Sequence, residues 1–183
     1  MPYEAALDKA WTELEKIAGK KDLAVKFLAD TYGLNPKERA ISSLSCNVPA
    51  KDFLKVLLLH YMTGTAKKPF VPSGEWVSFK DIEGGEIYYP AFREGAIKPL
   101  LRKYGSDPKG ILGAAGRLGG KAVESGDAAV EFGAFEDMKV RVVLWKGDDE
   151  FGPEATMLFD KNITSVFTME DIAVLGRFIV HSI

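Results

Sequence analysis

Metal-binding and redox side chains are scarce in this sequence. Its 183 residues include one cysteine, Cys46, and two histidines, His60 and His181. One thiol cannot form an intramolecular disulfide, an iron–sulfur site or a thiolate zinc site, and two imidazoles exclude a histidine-rich metal centre. The longest apolar run, residues 56–59, is far too short to cross a bilayer, and no secretory signal pattern precedes it. We therefore expect a cytoplasmic protein with no membrane segment and no iron–sulfur cluster.

The sequence also lacks an excess of either charge. Its 24 lysines and arginines nearly balance 26 aspartates and glutamates, for a formal charge of -2. A general nucleic-acid binder would carry a basic stripe, so we expect no nucleic-acid partner. Hydrophobic residues make up 46% of the chain, which is enough for one sizeable core. Because no linker or repeat divides the chain, we predict one domain over residues 1–183.

Hydrophobic periodicity predicts an α+β fold with N-terminal helices, a mainly antiparallel sheet late in the chain and a closing C-terminal helix. Helices are predicted over residues 3–19, 21–32, 49–63, 89–105 and 107–121, and from Thr168 onward. Short strands are predicted within residues 39–48 and 75–79, and three antiparallel strands around residues 130–134, 140–144 and 156–159. Thr168 and Asp171 stand at the spacing of a capping box, which indicates where the last helix begins.

Two of these elements allow specific expectations. The helix over residues 49–63 is apolar on nearly every face, so Leu57 or Leu58 is expected to be almost fully buried. Residues 139–145 and 155–159 are joined by a connection too short for a parallel crossover, so they are expected to pair as an antiparallel hairpin.

The turn between those two strands is rich in carboxylates. Asp148 and Glu150 lie in it, and Asp160 follows the next strand. Carboxylates around a hairpin can hold a hard divalent cation, which makes these three the candidate metal ligands. The alternative is a solvated turn whose charges protect a sheet edge from unwanted pairing. Apart from this cation, no cofactor is predicted.

Aromatic residues supply a second candidate site. Trp76 and Trp145 lie in two strings that combine tryptophan with glycines and carboxylates, and Tyr89 and Arg93 lie at the end of the aromatic segment that Trp76 begins. We hypothesise that they share a cleft in which the arginine holds an anionic group while the rings cover an apolar body. The alternative is that the tryptophans fill separate parts of one core and the arginine reaches solvent. His60, on an apolar helix, is open to two readings: a general base or axial haem ligand, or an imidazole hydrogen-bonded at the core edge.

Several strings together resemble a known family. They are residues 60–61, 74–79, 84–85, 89–92, 145–151, 158–160 and 170–171. The family they resemble occurs in anaerobic bacteria and archaea, has about this length and is described only as a domain of unknown function. Some of its members carry an added N-terminal iron–sulfur domain, which Cys46 alone could not provide here. The resemblance implies no catalytic residue, and it hints at partners among anaerobic corrinoid or one-carbon enzymes.

The sequence therefore leaves three functions open. The leading interpretation is a non-catalytic accessory domain in anaerobic metabolism that binds a small ligand or a partner protein. The second is an enzyme that uses the acidic turn, residues 148–160, with a divalent cation. The third is a purely structural interaction module, which would present a flat apolar patch without a cavity.

Overall fold

The computed structural model of the protein describes residues 3–183 and has the predicted α+β organisation. Its helices are α1 (Glu4–Ala18), α2 (Asp52–Lys67), α3 (Gly85–Phe92), α4 (Lys98–Tyr104), α5 (Gly110–Ala115) and α6 (Met169–Ser182). Its strands are β1 (Leu23–Phe27), β2 (Asp30–Asn35), β3 (Ala40–Ser43), β4 (Trp76–Ser78), β5 (Lys121–Val123), β6 (Ala128–Gly133), β7 (Lys139–Trp145) and β8 (Glu154–Asp160). The strands form two antiparallel sheets, ordered β1-β2-β3 and β4-β8-β7-β6-β5.

The three-stranded sheet corrects one prediction, because residues 21–32 form a hairpin and not a helix. Strand β1 pairs antiparallel with β2, and Phe27 faces Asp30 across the turn. Leu28 begins the turn with a φ of 53°, a left-handed conformation that no helix continues through. The N–H of Leu28 donates to the carbonyl of Ala134, which follows β6, so this hairpin is tied to the larger sheet.

The five-stranded sheet contains the predicted hairpin. Strands β7 and β8 pair antiparallel, with Val140 opposite Phe159 and Trp145 opposite Glu154. Val140, Val142 and Leu144 alternate along β7 on the face that is buried against the helices. The side chains between them point to the opposite face of the sheet.

Helix α2 lies at the centre of the molecule, as its apolar surface predicts. Leu57, Leu58 and Leu59 are all buried, which confirms the expectation for this helix. The helix continues to Lys67, one turn beyond the predicted end. It packs against α1 on one side and α6 on the other.

The helical region after β4 is more broken than predicted. Residues 89–105 divide into α3, a π-helical turn over Arg93–Ile97 and α4. Pro99 lies near the start of α4, where its missing N–H leaves no hydrogen bond unmade. The helix predicted over residues 107–121 is wrong beyond Leu118, because Gly119 adopts a left-handed φ of 72° and the chain enters β5.

Helix α6 begins with the predicted capping box. The Thr168 hydroxyl accepts from the Asp171 N–H, and the Asp171 carboxylate accepts from the Thr168 N–H. The apolar face of α6 is buried in the core, where Gly176 lies against Met157 of β8. Over residues 3–183, no helix combines the length and the apolar character that a membrane span requires.

Candidate functional site

A cavity of about 510 Å³ opens where the start of α2 meets the end of α6. Its lining residues are Tyr3, Tyr32, Lys51, Phe53, Leu54, Val174, Arg177, Phe178, His181 and Ser182. Helices α2 and α6 run antiparallel, so Phe53 near the start of one lies beside Phe178 near the end of the other, with ring centroids 6.1 Å apart. The cavity therefore depends on residues that are more than a hundred positions apart in the sequence.

Aromatic rings form the apolar wall of this cavity. Phe178 packs on Phe27 of β1 at 5.0 Å, and Phe27 also lies 6.5 Å from Tyr32 of β2. The β1–β2 hairpin thus presents Tyr32 to the cavity, half-buried. Burial is the main cause that raises the pKa of the Tyr32 phenol, and the nearby Asp30 and Cys46 raise it further. The group therefore stays protonated and can donate a hydrogen bond.

Three side chains that can carry positive charge line the same cavity. Lys51 directly precedes α2, whose N-terminus adds the positive end of a helix dipole. Within residues 3–183, neither Lys51 nor Arg177 nor His181 forms an ion pair. Asp52, the residue that follows Lys51, is already paired with Lys55 at 3.0 Å. Within the described part of the chain, these three side chains therefore have no ion-pair partner, and all three are exposed.

Local packing positions two of these cationic groups. The stem of Arg177 lies over Gly95, so close that a Cβ there would be 2.6 Å from the arginine Cδ. The Nδ1–H of His181 donates to the carbonyl of Arg177 at 2.8 Å. Because a carbonyl oxygen only accepts, this bond fixes the proton on Nδ1 and leaves Nε2 free.

The structure does not bring the four predicted ligand-binding residues together. Trp76 and Trp145 lie on the same face of the larger sheet, and the Trp76 ring packs 4.1 Å from the guanidinium carbon of Arg141. Trp145 is four residues further along β7 from Arg141, or about 13 Å. Tyr89 and Arg93 belong to the helical segment on the opposite face, where Phe92 contacts Phe159.

The three predicted metal ligands are also separated. Asp148 lies in the exposed turn and accepts the N–H groups of Glu150 and Phe151, both at 2.8 Å. Asp160 lies at the far end of β8, buried and hydrogen-bonded to other parts of the chain. No cluster of three or more His, Cys, Asp or Glu side chains suited to a metal occurs in the part of the chain that the structure describes.

His60 is the predicted candidate that does acquire a chemical partner. Its Nδ1 lies 2.8 Å from Oδ1 of Asp171, which joins the middle of α2 to the first turn of α6. Sequence reasoning singled out both residues, one for a candidate base and the other for a helix cap. It had no means of pairing them across 111 positions.

The cavity itself was missed by sequence reasoning. The incorrect helix over residues 21–32 placed Tyr32 on a helix, although in the structure its ring faces α6 from a strand. One signal was available in the sequence: Arg177 and His181 are four residues apart on a predicted helix and therefore share a face.

Comparison with known proteins gives one match. The family model described as "Domain of unknown function (DUF3786)" matches residues 10–182, which include every cavity residue except Tyr3. Neither the curated proteins nor the solved structures contain a significant match.

Proposed function

Because the chain belongs to the DUF3786 family, whose description names no activity, we propose a function from the cavity alone: the protein is a binding domain for a small organic anion with a flat apolar body. The proposal is the ligand-binding form of the accessory domain that the sequence suggests. The cavity of about 510 Å³ lies within the ordinary size range of small-molecule sites.

One observation carries this proposal. Lys51, Arg177 and His181 line an aromatic cavity that has no carboxylate among its lining residues, and none of the three is paired within residues 3–183. Lys51 and Arg177 are exposed, so water solvates their charges in the free protein, and an anionic ligand can take the place of that water. A ligand that brings its own negative charge satisfies the cations and covers the rings at once.

The two parts of the cavity would contact different parts of such a ligand. The Arg177 guanidinium offers a planar fork of donors that matches a carboxylate, sulfonate or phosphate. Phe53 and Phe178, supported from behind by Phe27, offer ring faces for the apolar body. Tyr32, which also lines the cavity, adds a hydrogen-bond donor.

The test uses anilinonaphthalene sulfonate, a fluorescent aromatic anion. We expect the folded protein to bind one equivalent with a saturable rise in fluorescence, and Arg177→Ala to weaken binding by about ten-fold, the effect of losing a charge-assisted hydrogen bond. The matched control is Arg102→Ala, which removes an exposed arginine outside this cavity and should leave the affinity unchanged. Fluorescence titration at fixed ionic strength measures all three proteins.

A neutral analogue separates charge recognition from simple apolar binding. N-Phenylnaphthylamine has similar rings without the sulfonate, so it should bind weakly and with equal affinity to the native protein and to Arg177→Ala. The proposal fails if Arg177→Ala binds the sulfonate as tightly as the native protein does. It also fails if the two arginine variants lose affinity equally, because that result indicates long-range charge and no site.

The proposal leaves the biological setting to the family resemblance. The prediction of a cytoplasmic location rests on the single cysteine. The predictions of an origin in anaerobes and of a corrinoid or one-carbon enzyme as partner rest on the resemblance alone. Native mass spectrometry of the protein purified without oxygen tests the predicted binding, because it reports bound ligand, metal and partner stoichiometry in one measurement.

A further inference from the structure

We propose that His60, positioned by Asp171, is a general base that activates water against acyl esters. The inference is independent of the anion cavity, whose lining does not include His60. It rests on the contact between Nδ1 of His60 and Oδ1 of Asp171 at 2.8 Å, together with the unequal burial of the two side chains. The imidazole is 37% exposed, whereas the carboxylate is nearly inaccessible.

Asp171 is held in place on both of its oxygens. Oδ1 contacts His60, and Oδ2 accepts from the Thr168 hydroxyl at 2.7 Å and from the Thr168 N–H at 3.0 Å. Burial alone would raise the pKa of the Asp171 carboxyl, but the hydrogen bonds from His60 and Thr168 outweigh it and lower the pKa. Asp171 is therefore ionised at neutral pH and accepts the Nδ1 proton of His60.

That orientation leaves Nε2 of His60 as the reactive atom. With the proton fixed on Nδ1, the Nε2 lone pair lies on the far side of the ring from Asp171 and its buried surroundings. A carboxylate behind an imidazole keeps the correct tautomer and stabilises the imidazolium formed when Nε2 takes a proton. This is the arrangement that general-base catalysis requires.

The surroundings of His60 favour a neutral acyl substrate over a phosphate. Within residues 3–183, the only side chain in hydrogen-bond or ion-pair contact with His60 is Asp171, which is negative. Phosphoryl transfer needs cationic groups to neutralise the charge on its oxygens. Attack of water on an uncharged ester carbonyl brings no such charge to the site, and a base that removes a proton from the attacking water assists it.

The step consumes one water molecule and needs no other reactant. Nε2 accepts a proton from water while the water oxygen bonds to the acyl carbon, and the carbonyl π pair moves onto oxygen. When that pair returns, the bond to the leaving alkoxide breaks and the leaving group takes the bonding electrons. The imidazolium then gives its proton to the leaving group or to solvent, which restores His60.

The alternative to a catalytic role is that the His60–Asp171 contact is purely structural, because it joins α2 to α6. Two histidines in one chain allow the roles to be separated. His181 is also exposed and also fixed through Nδ1, but its partner is the Arg177 carbonyl and not a carboxylate. The His181 imidazole of the native protein therefore serves as the comparison for the effect of the carboxylate on imidazole reactivity.

The experiment measures hydrolysis of p-nitrophenyl acetate by folded protein at neutral pH. We expect His60→Gln to lower the second-order rate constant by about ten-fold or more, whereas Lys67→Gln, at an exposed position of the same helix outside both sites, should change it less than two-fold. Asp171→Asn should also lower the rate, and in long-range ¹H–¹⁵N spectra it should remove the Nδ1–H tautomer signature of His60, which a purely structural loss of stability would not move.

A measurement on the native protein covers the case in which a variant does not fold. Diethyl pyrocarbonate modifies neutral imidazoles, and mass spectrometry of the two histidine peptides gives each rate separately. We expect His60 to react several-fold faster than His181. The proposal is overturned if both histidines react equally, or if His60→Gln and Lys67→Gln hydrolyse the ester at the same rate.

Discussion

Leu58→Ala is expected to lower the free energy of unfolding by about 2–5 kcal/mol, the range for emptying a fully packed leucine site. Leu58 has no exposed surface, and its neighbours Leu57 and Leu59 are buried with it. Helix α2 is held between α1 and α6, so it has little freedom to close the space that the missing side chain leaves. Urea unfolding followed by circular dichroism measures the loss.

The matched control for this substitution is Leu112→Ala. Leu112 is also helical but 40% exposed, so its truncation should cost within about 0.5 kcal/mol. A loss under about 1 kcal/mol for Leu58→Ala would mean that α2 is peripheral. Because α2 carries Lys51 at its start and His60 near its middle, that result would also undermine both proposed sites.

One physical difference explains why the prediction for α2 was correct and the prediction of a helix over residues 21–32 was wrong. Helix α2 is apolar on nearly every face, so its burial is expected whichever elements pack against it. In residues 21–32, Leu23, Phe27 and Leu28 fit helical spacing, while Leu23, Val25 and Phe27 fit strand alternation equally well. The left-handed turn at Leu28 and the pairing of β2 with β3 decide the outcome, and the second of these is not local.

The candidate sites could be predicted only where a single segment defines them. The capping box at Thr168 was predictable, because its two residues are three positions apart. The His60–Asp171 contact and the cavity between Lys51 and Arg177 depend on the antiparallel packing of α2 against α6. No periodicity in either helix specifies the helix that it packs against. Residues of both sites could therefore be identified in the sequence, but not which of them lie together in the structure.

Asp160→Ala is also expected to lower the free energy of unfolding strongly, by about 3 kcal/mol at neutral pH. The buried carboxylate accepts from the Ser73 N–H and hydroxyl at 3.0 and 2.9 Å, from the Gly74 N–H at 3.1 Å and from the Asn162 N–H at 2.9 Å. These bonds fasten the loop before β4 to the end of β8. Alanine leaves the donors unpaired, and unpaired donors in a partly buried site are costly.

The same carboxylate should make the effect depend on pH. Burial tends to raise the pKa of Asp160, but the hydrogen bonds from Ser73, Asn162 and Gly74 outweigh it, so the pKa is lowered in the folded state. A carboxyl whose pKa is lower when folded contributes stability above its unfolded pKa of about 3.9, and that contribution is lost as the pH falls through the folded value.

We therefore expect the difference in unfolding free energy between native protein and Asp160→Ala to be constant from pH 7 to about pH 5 and to shrink progressively in more acidic solution. Asp148→Asn is the control, since hydrogen bonds from Phe151 and Glu150 also lower the pKa of Asp148, but in a fully exposed turn. Its effect on stability should be small at every pH, because water replaces those bonds. Equal losses for the two variants at pH 7, or a pH-independent loss for Asp160→Ala, would show that Asp160 does not hold the loop through its charge.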